Sequence, residues 1–110
     1  MDIKTRKQGD VMIVNINGNL DGEAAPDFQE MIEHWTGKDE KKFVIDAENL
    51  DYISSSGLRC FIILSKTAKA MGGNVVFCNV RGMVQEIFDI SNFPAMFSIE
   101  DNLEDALKQL

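Results

Sequence analysis

The stretch that decides the fold runs from Val44 to Phe61, "VIDAENLDYISSSGLRCF". With Phe43 before it, it opens on the apolar run Phe43-Val44-Ile45, as a buried central strand does. Asp46 ends the run and Leu50 returns to apolar character. Tyr52-Ile53 then lead into three serines, Ser54, Ser55 and Ser56, followed by Gly57. From Ser55 to Met71 the pattern turns helical, and Gly72-Gly73 stops it. A strand, a connection and a long helix with a serine-rich first turn form one unit of a layered α/β structure.

The flanks extend the same pattern. "VMIVNING" (Val11 to Gly18) alternates and is rich in β-branched residues, so it reads as a strand. Before it, Gly9-Asp10 is a hairpin turn back to a first edge strand. "AAPDFQEMIEHW" reads as a helix: Pro26 suits its first turn, Asp27 and Glu30 favour the N-terminal dipole, and Phe28, Met31, Ile32 and Trp35 fall at helical spacing. "TGKDEKK" is a polar loop. "NVVFCNV" is another buried strand, "RGMVQEIFDI" a helix, and "AMFSI" a short strand. "EDNLEDALKQL" is a terminal amphipathic helix with Leu103, Ala106, Leu107 and Leu110 on one side. The expectation is a single α/β domain over residues 1–110, with a mixed, mostly parallel sheet of four to five strands and about four helices.

Of the 110 residues, 45% are apolar and 26% charged, ordinary for a soluble globular protein, and the net charge is −7. That balance disfavours nucleic acid and anionic membrane surfaces, which need clustered Lys and Arg. The two cysteines, Cys60 and Cys78, are not spaced as a metal knuckle or redox pair, and His34 is the single histidine. Both read as small core residues. His34, Glu48 and Asp51 lack the clustering a metal site needs. The pairs Asp39-Glu40 and Glu104-Asp105 read as solvated faces, and Asp46 as an acceptor for loop amides. Trp35 closes the core under the first helix. The N-terminal segment has no signal-like apolar core and no apolar run is long enough to span a membrane, so the expected compartment is the cytoplasm.

The serines admit four roles. Serine is a preferred N-cap, and one of the three must begin the helix; that explains one serine and leaves two. Gly57 is costly in a first helical turn, and becomes useful where another surface approaches the backbone closely. A nucleophile needs a base within reach; "SSSG" is not G-x-S-x-G, and His34 is placed on the solvent side of the first helix. A phosphate cradle at the helix N-terminus lacks the lysine and the glycine spacing of such loops. The fourth role is a hydroxyl that accepts a phosphoryl group, exposed to a kinase at the tip of a strand–helix connection.

Three stretches of the chain, in order, resemble the STAS domain as found in anti-sigma factor antagonists. "GNLD" (Gly18 to Asp21) looks like the turn after the second strand. "VIDAENLDYISSSGLRCF" looks like the central signature. "VRGMVQEIFDISNFPAMFSIEDNLEDAL" looks like the C-terminal third, with an apolar helix, an "F-x-I" strand and a final acidic helix. The resemblance implies a phosphorylated serine two residues before the glycine, which is Ser55 here. Ser54 stands where many members have Asp, which leaves a neighbouring hydroxyl as a secondary candidate, as is Ser56. It further implies an anti-anti-sigma factor that binds an anti-sigma serine kinase of the GHKL type while unphosphorylated. Phosphorylation releases it, and a PP2C-type serine phosphatase restores binding. Neither catalysis nor a cofactor is implied, and the free chain is expected to be a monomer.

A turn of 100° per residue sorts the helix after the serines. Phe61, Leu64, Ser65 and Ala68 form a core face, edged by Leu58, Cys60 and Met71. Arg59, Ile63, Lys66 and Ala70 cluster opposite, with Ile62 beside them. Isolated exposed apolar residues are common. The sharper reading is an apolar contact for a partner, fringed by Arg59 and Lys66 for an acidic rim. The expected docking set is Asp21, Ser54, Ser56, Gly57, Arg59, Ile62, Ile63 and Lys66. Asp21 also reads as the acceptor of an Asx turn with Gly22. The competing functions are an accessory subunit docked on an ABC transporter ATPase, an enzyme with its own turnover, and a scaffold piece of a larger signalling assembly.

Overall fold

The structure, a computed structural model, describes residues 1–110. Strand β1 (Asp2–Gln8) turns through Gly9-Asp10 into β2 (Val11–Leu20), and the two pair antiparallel from Gln8↔Val11 to Asp2↔Asn17. Gly9 takes the positive φ that this two-residue hairpin turn needs. Helix α1 (Ala25–Thr36) leads to β3 (Lys42–Asp46), which is followed by β4 (Leu50–Ile53) and helix α2 (Ser55–Ala70). Strand β5 (Asn74–Cys78), helix α3 (Gly82–Ile90), the one-turn α4 (Phe93–Met96), strand β6 (Ser98–Glu100) and helix α5 (Leu103–Lys108) complete the order. The sheet runs β1-β2-β3-β5-β6, all parallel after the first hairpin.

Two elements exceed the expected count. Leu50–Ile53 pairs parallel with β2 at Gly18–Leu20, past a register shift, and becomes a sixth strand. Phe93–Met96 closes one helical turn with Pro94 in its first turn, so only the end of "AMFSI" joins the sheet, as β6.

Side-chain alternation divides the interior between the two faces of the sheet. Met12, Val14, Ile16, Phe43, Ile45, Val75 and Phe77 point to the larger core, under α1, α2, α3 and α4. Val11, Ile13, Val44, Val76 and Cys78 point to the smaller one, which α5 covers with Leu103, Ala106 and Leu107, joined by Leu110 past the helix end. In the larger core Phe61 of α2 packs edge-on against Phe28 of α1, at 5.6 Å between ring centroids, and lies 5.0 Å from Phe77 of β5. These contacts seat α2 on the sheet and thereby fix where its first turn emerges. Met71 caps α2, and Gly72 takes the positive φ of the residue past the helix end.

Candidate functional site

The serine turn sits where β2 and β4 end. The Leu20 carbonyl, the last of β2, accepts from the Ser54 N–H at 2.9 Å and from the Ser54 hydroxyl at 3.3 Å. The same hydroxyl accepts from the Gly57 N–H at 3.2 Å, with Ser54 in extended backbone, so Ser54 is the N-cap of α2. Its side chain is half-buried and engaged on both sides. Ser55 and Ser56 follow in the first helical turn, both exposed. That turn contains no acidic residue, so its N–H groups have no carboxylate from their own helix.

Gly57, a member of the expected docking set, is enclosed by the chain itself. Gly57 is buried, and a Cβ there would lie 2.7 Å from the Ile53 side chain and 2.8 Å from the Leu20 carbonyl oxygen. The surface that approaches its backbone is the chain's own β2–β4 pair, and the glycine lets α2 start against it. Ile62 is half-buried and packs on the core. Asp21 is half-buried as well; its Oδ1 accepts from the N–H groups of Glu23 at 3.1 Å and Ala24 at 2.9 Å. It thereby shapes the β2–α1 connection beside the start of α2. Arg59, Ile63 and Lys66 are exposed, Ile63 at 38%.

An open groove of about 270 Å³ separates α1 from α2 next to the serines. Gly22, Ala25, Pro26 and Gln29 form one wall; Ser56, Arg59, Cys60 and Ile63 form the other. The α1 wall was not legible in the sequence, because nothing in the spacing of α1 says which helix it packs beside. Tyr52, 39% exposed, is a further surface residue at this end, since the outer positions of β4 face solvent. Arg81, at the start of α3, donates from Nε to the Glu48 carbonyl and lies 3.6 Å from the Asp51 carboxylate, fastening the β3–β4 connection. Asp46 accepts from the Glu48 N–H at 3.1 Å and from the Asn79 side-chain amide at 3.0 Å.

Burial pushes the Cys60 thiol up from its ordinary value; its Sγ lies 3.6 Å from the Ala25 carbonyl, across the α1–α2 contact. Burial, followed by the nearby Asp46 and Glu48 carboxylates, pushes Cys78 up to about 12. Neither environment makes a reactive thiolate. No group of three or more His, Cys, Asp and Glu side chains is placed to hold a metal ion. The largest surface hollow, about 490 Å³ between β1 and α1, shares no residue with the serine turn. No helix is long and apolar enough to cross a membrane. The site is thus a surface: an exposed pair of hydroxyls at a helix start, an apolar residue one to two turns on, and two cations beside it.

Comparison with known proteins agrees with this architecture. A Bordetella bronchiseptica protein described as an anti-sigma factor antagonist, BtrV, is 29% identical over 106 residues, covering 96% of this chain and 91% of its own length. A Thermotoga maritima structure described as an anti-sigma factor antagonist superposes with a TM-score of 0.92 at 19% identity, covering 97% of this chain and 92% of that one. Structures of SpoIIAA in its unphosphorylated form and of the Bacillus protein in its phosphorylated form give TM-scores of 0.77 and 0.76. Their identities are 14% and 15%; each covers 98% of this chain, and 96% and 98% of its own. The structural likenesses establish the fold. The model of the family described as "STAS domain" matches residues 2–106, and the chain belongs to that family.

Proposed function

We propose that this STAS protein is an anti-sigma factor antagonist whose docking is controlled at Ser55. Unmodified, it binds an anti-sigma factor that is itself a GHKL-type serine kinase, and so frees the sigma factor. The kinase transfers a phosphoryl group from ATP to the Ser55 hydroxyl, and the complex separates. A PP2C-type serine phosphatase hydrolyses the ester and restores the binding form. The chain performs no catalysis of its own and works in the cytoplasm.

The observation that carries this reading is the division of labour among the serines. Ser54 is held as the cap, which leaves Ser55 and Ser56 exposed in the first turn of a helix whose outer face carries Arg59, Ile63 and Lys66, and the family pattern selects Ser55 of the two. The descriptions of the relatives point the same way.

Magnitudes explain why a phosphate here would act as a switch. It adds a charge of about −1.5 to −2. At a helix N-terminus that charge is favoured by roughly 0.3–1 kcal/mol, so the fold tolerates it. Inside a protein interface, leaving the same charge buried and unpaired costs at least several kcal/mol, and each 1.4 kcal/mol is about tenfold in affinity. The modification therefore removes the partner and leaves the domain folded.

The test is the intact mass of the protein from its native cell, with the modified peptide mapped, alongside capture of its partners. One phosphoryl group on Ser55, lost in Ser55→Ala, and recovery of a serine kinase are the expected outcomes. Undiminished phosphorylation of Ser55→Ala at a single site would overturn the assignment. Recovery of a transporter ATPase in place of a kinase would overturn the partner.

A further inference from the structure

Arg59 is an exposed cation without an ion pair: the four ion pairs of the structure are Lys7–Glu40, Lys42–Asp10, Arg81–Asp51 and Lys108–Glu104. It lies four residues after Ser55 on the same helix. Residues i and i+4 are neighbours on a helix surface, and the order with the acidic group N-terminal to the basic one is the favourable one. The neighbouring cations are worse placed. Arg81 is engaged with Asp51 and the Glu48 carbonyl. Lys66 follows Ser55 by eleven residues, about 16 Å along the axis at 1.5 Å per residue. The other charged groups near this end are the carboxylates of Asp21 and Glu23 in the β2–α1 connection, Asp27 on α1 and Asp51 on β4.

We infer that a phosphate on Ser55 is captured by Arg59 in an intrahelical pair, so that one modification both charges the first turn of α2 and withdraws the free cation from the docking face. This deepens the switch proposed above and rests on it for its biological meaning. Without the phosphate, Arg59 stands beside Ile63 at the α1–α2 groove and is free to meet an acidic group of the partner. With it, the planar guanidinium donates to the phosphate oxygens in charge-assisted hydrogen bonds. The release mechanism then has two parts, an added dianion and a lost anchor.

The experiment installs phosphoserine at position 55 of the full chain during synthesis, so no kinase is needed. The second ionisation of the phosphate is followed by phosphorus NMR, and the Arg59 Nε–H signal by proton–nitrogen NMR. An i,i+4 pair shifts the ionisation downward by about 0.2–0.4 pKa unit, so Arg59→Gln raises it by that amount. Arg59→Lys recovers at least about half of the shift, because it keeps the charge and loses the fork. Lys66→Gln, beyond reach, leaves the value where it was, and high salt shrinks the Arg59 effect. The Arg59 Nε–H signal moves on phosphorylation and follows the same titration. An unchanged ionisation in Arg59→Gln, or an equal change in Lys66→Gln, overturns the pair. That failure would leave Ser55 standing as the acceptor. Absence of phosphate on Ser55 in the native cell would sink the parent reading and leave the measured pair intact.

Discussion

Adjacent serines at one helix start have different physics, and substitution separates them. Ser54→Ala removes the hydroxyl that accepts from Gly57 and donates to Leu20, and should cost about 1 kcal/mol of stability, within the roughly 0.5–2 kcal/mol of lost N-caps. Ser55→Ala removes an exposed hydroxyl and should stay within about 0.5 kcal/mol of the parent. Urea unfolding of the two variants checks the difference; equal losses would mean that the cap is misassigned. Gly57→Ala should cost about 1–3 kcal/mol in the same measurement, since its methyl group meets Ile53 and the Leu20 carbonyl, an overpacking that outweighs the better helix propensity of alanine. The sequence made Ser55 the acceptor only through the family likeness, since three like residues in a row carry no local signal that ranks them. Setting Ser54 apart needs the position of the Leu20 carbonyl, which comes from a strand more than thirty residues earlier; Ser55 and Ser56 are both exposed, and the family pattern alone separates them. The same limit explains Gly57: a glycine that admits a partner and one that admits the chain's own strand read alike.

At the scale of elements, the long, strongly patterned ones were legible and the short ones were not. β2, α1 and α2 carry apolar residues at strand or helix spacing, β3 and β5 are continuous apolar runs bounded by polar loops, and Phe61, Leu64, Ser65 and Ala68 are buried where a 100° turn places them. Strand β4 has four residues with only its ends buried, and exists because β2 runs on past its pairing with β3 to offer Gly18–Leu20. Helix α4 is a single turn held by Phe93, which stacks on Phe88 at 4.4 Å and on Phe97 at 4.3 Å. Neither length gives a period to read. The seating of α2 rests on the aromatic contacts. Phe61→Ala should therefore cost about 3–5 kcal/mol and loosen the serine turn with it. Amide hydrogen exchange would report this as faster exchange along α2 than in the parent; unchanged protection would show that the strands alone hold the helix.

Across the whole molecule, the sheet separates two cores, and the buried thiols report on both. Cys60 belongs to the larger core and Cys78 to the smaller. Both thiols keep their protons in the folded state above the ordinary value of 9.0, Cys78 up to about 12, while the unfolded chain releases them first. Their contribution to stability is therefore complete below pH 9 and is lost as the pH rises toward about 12. Cys78→Ala should flatten the alkaline fall of the urea midpoint; an unchanged slope would remove Cys78 from that account. A phosphate in the first turn of α2 meets the favourable end of the helix dipole and touches neither core, and that is the premise of the switch. Its most direct test compares the domain with and without phosphoserine at position 55, measuring affinity for the anti-sigma kinase and the thermal midpoint on the same samples. The account requires affinity to fall by at least about tenfold while the midpoint moves by less than about 5 °C. Equal affinity for the two forms, or a loss of affinity that merely follows unfolding, would contradict it.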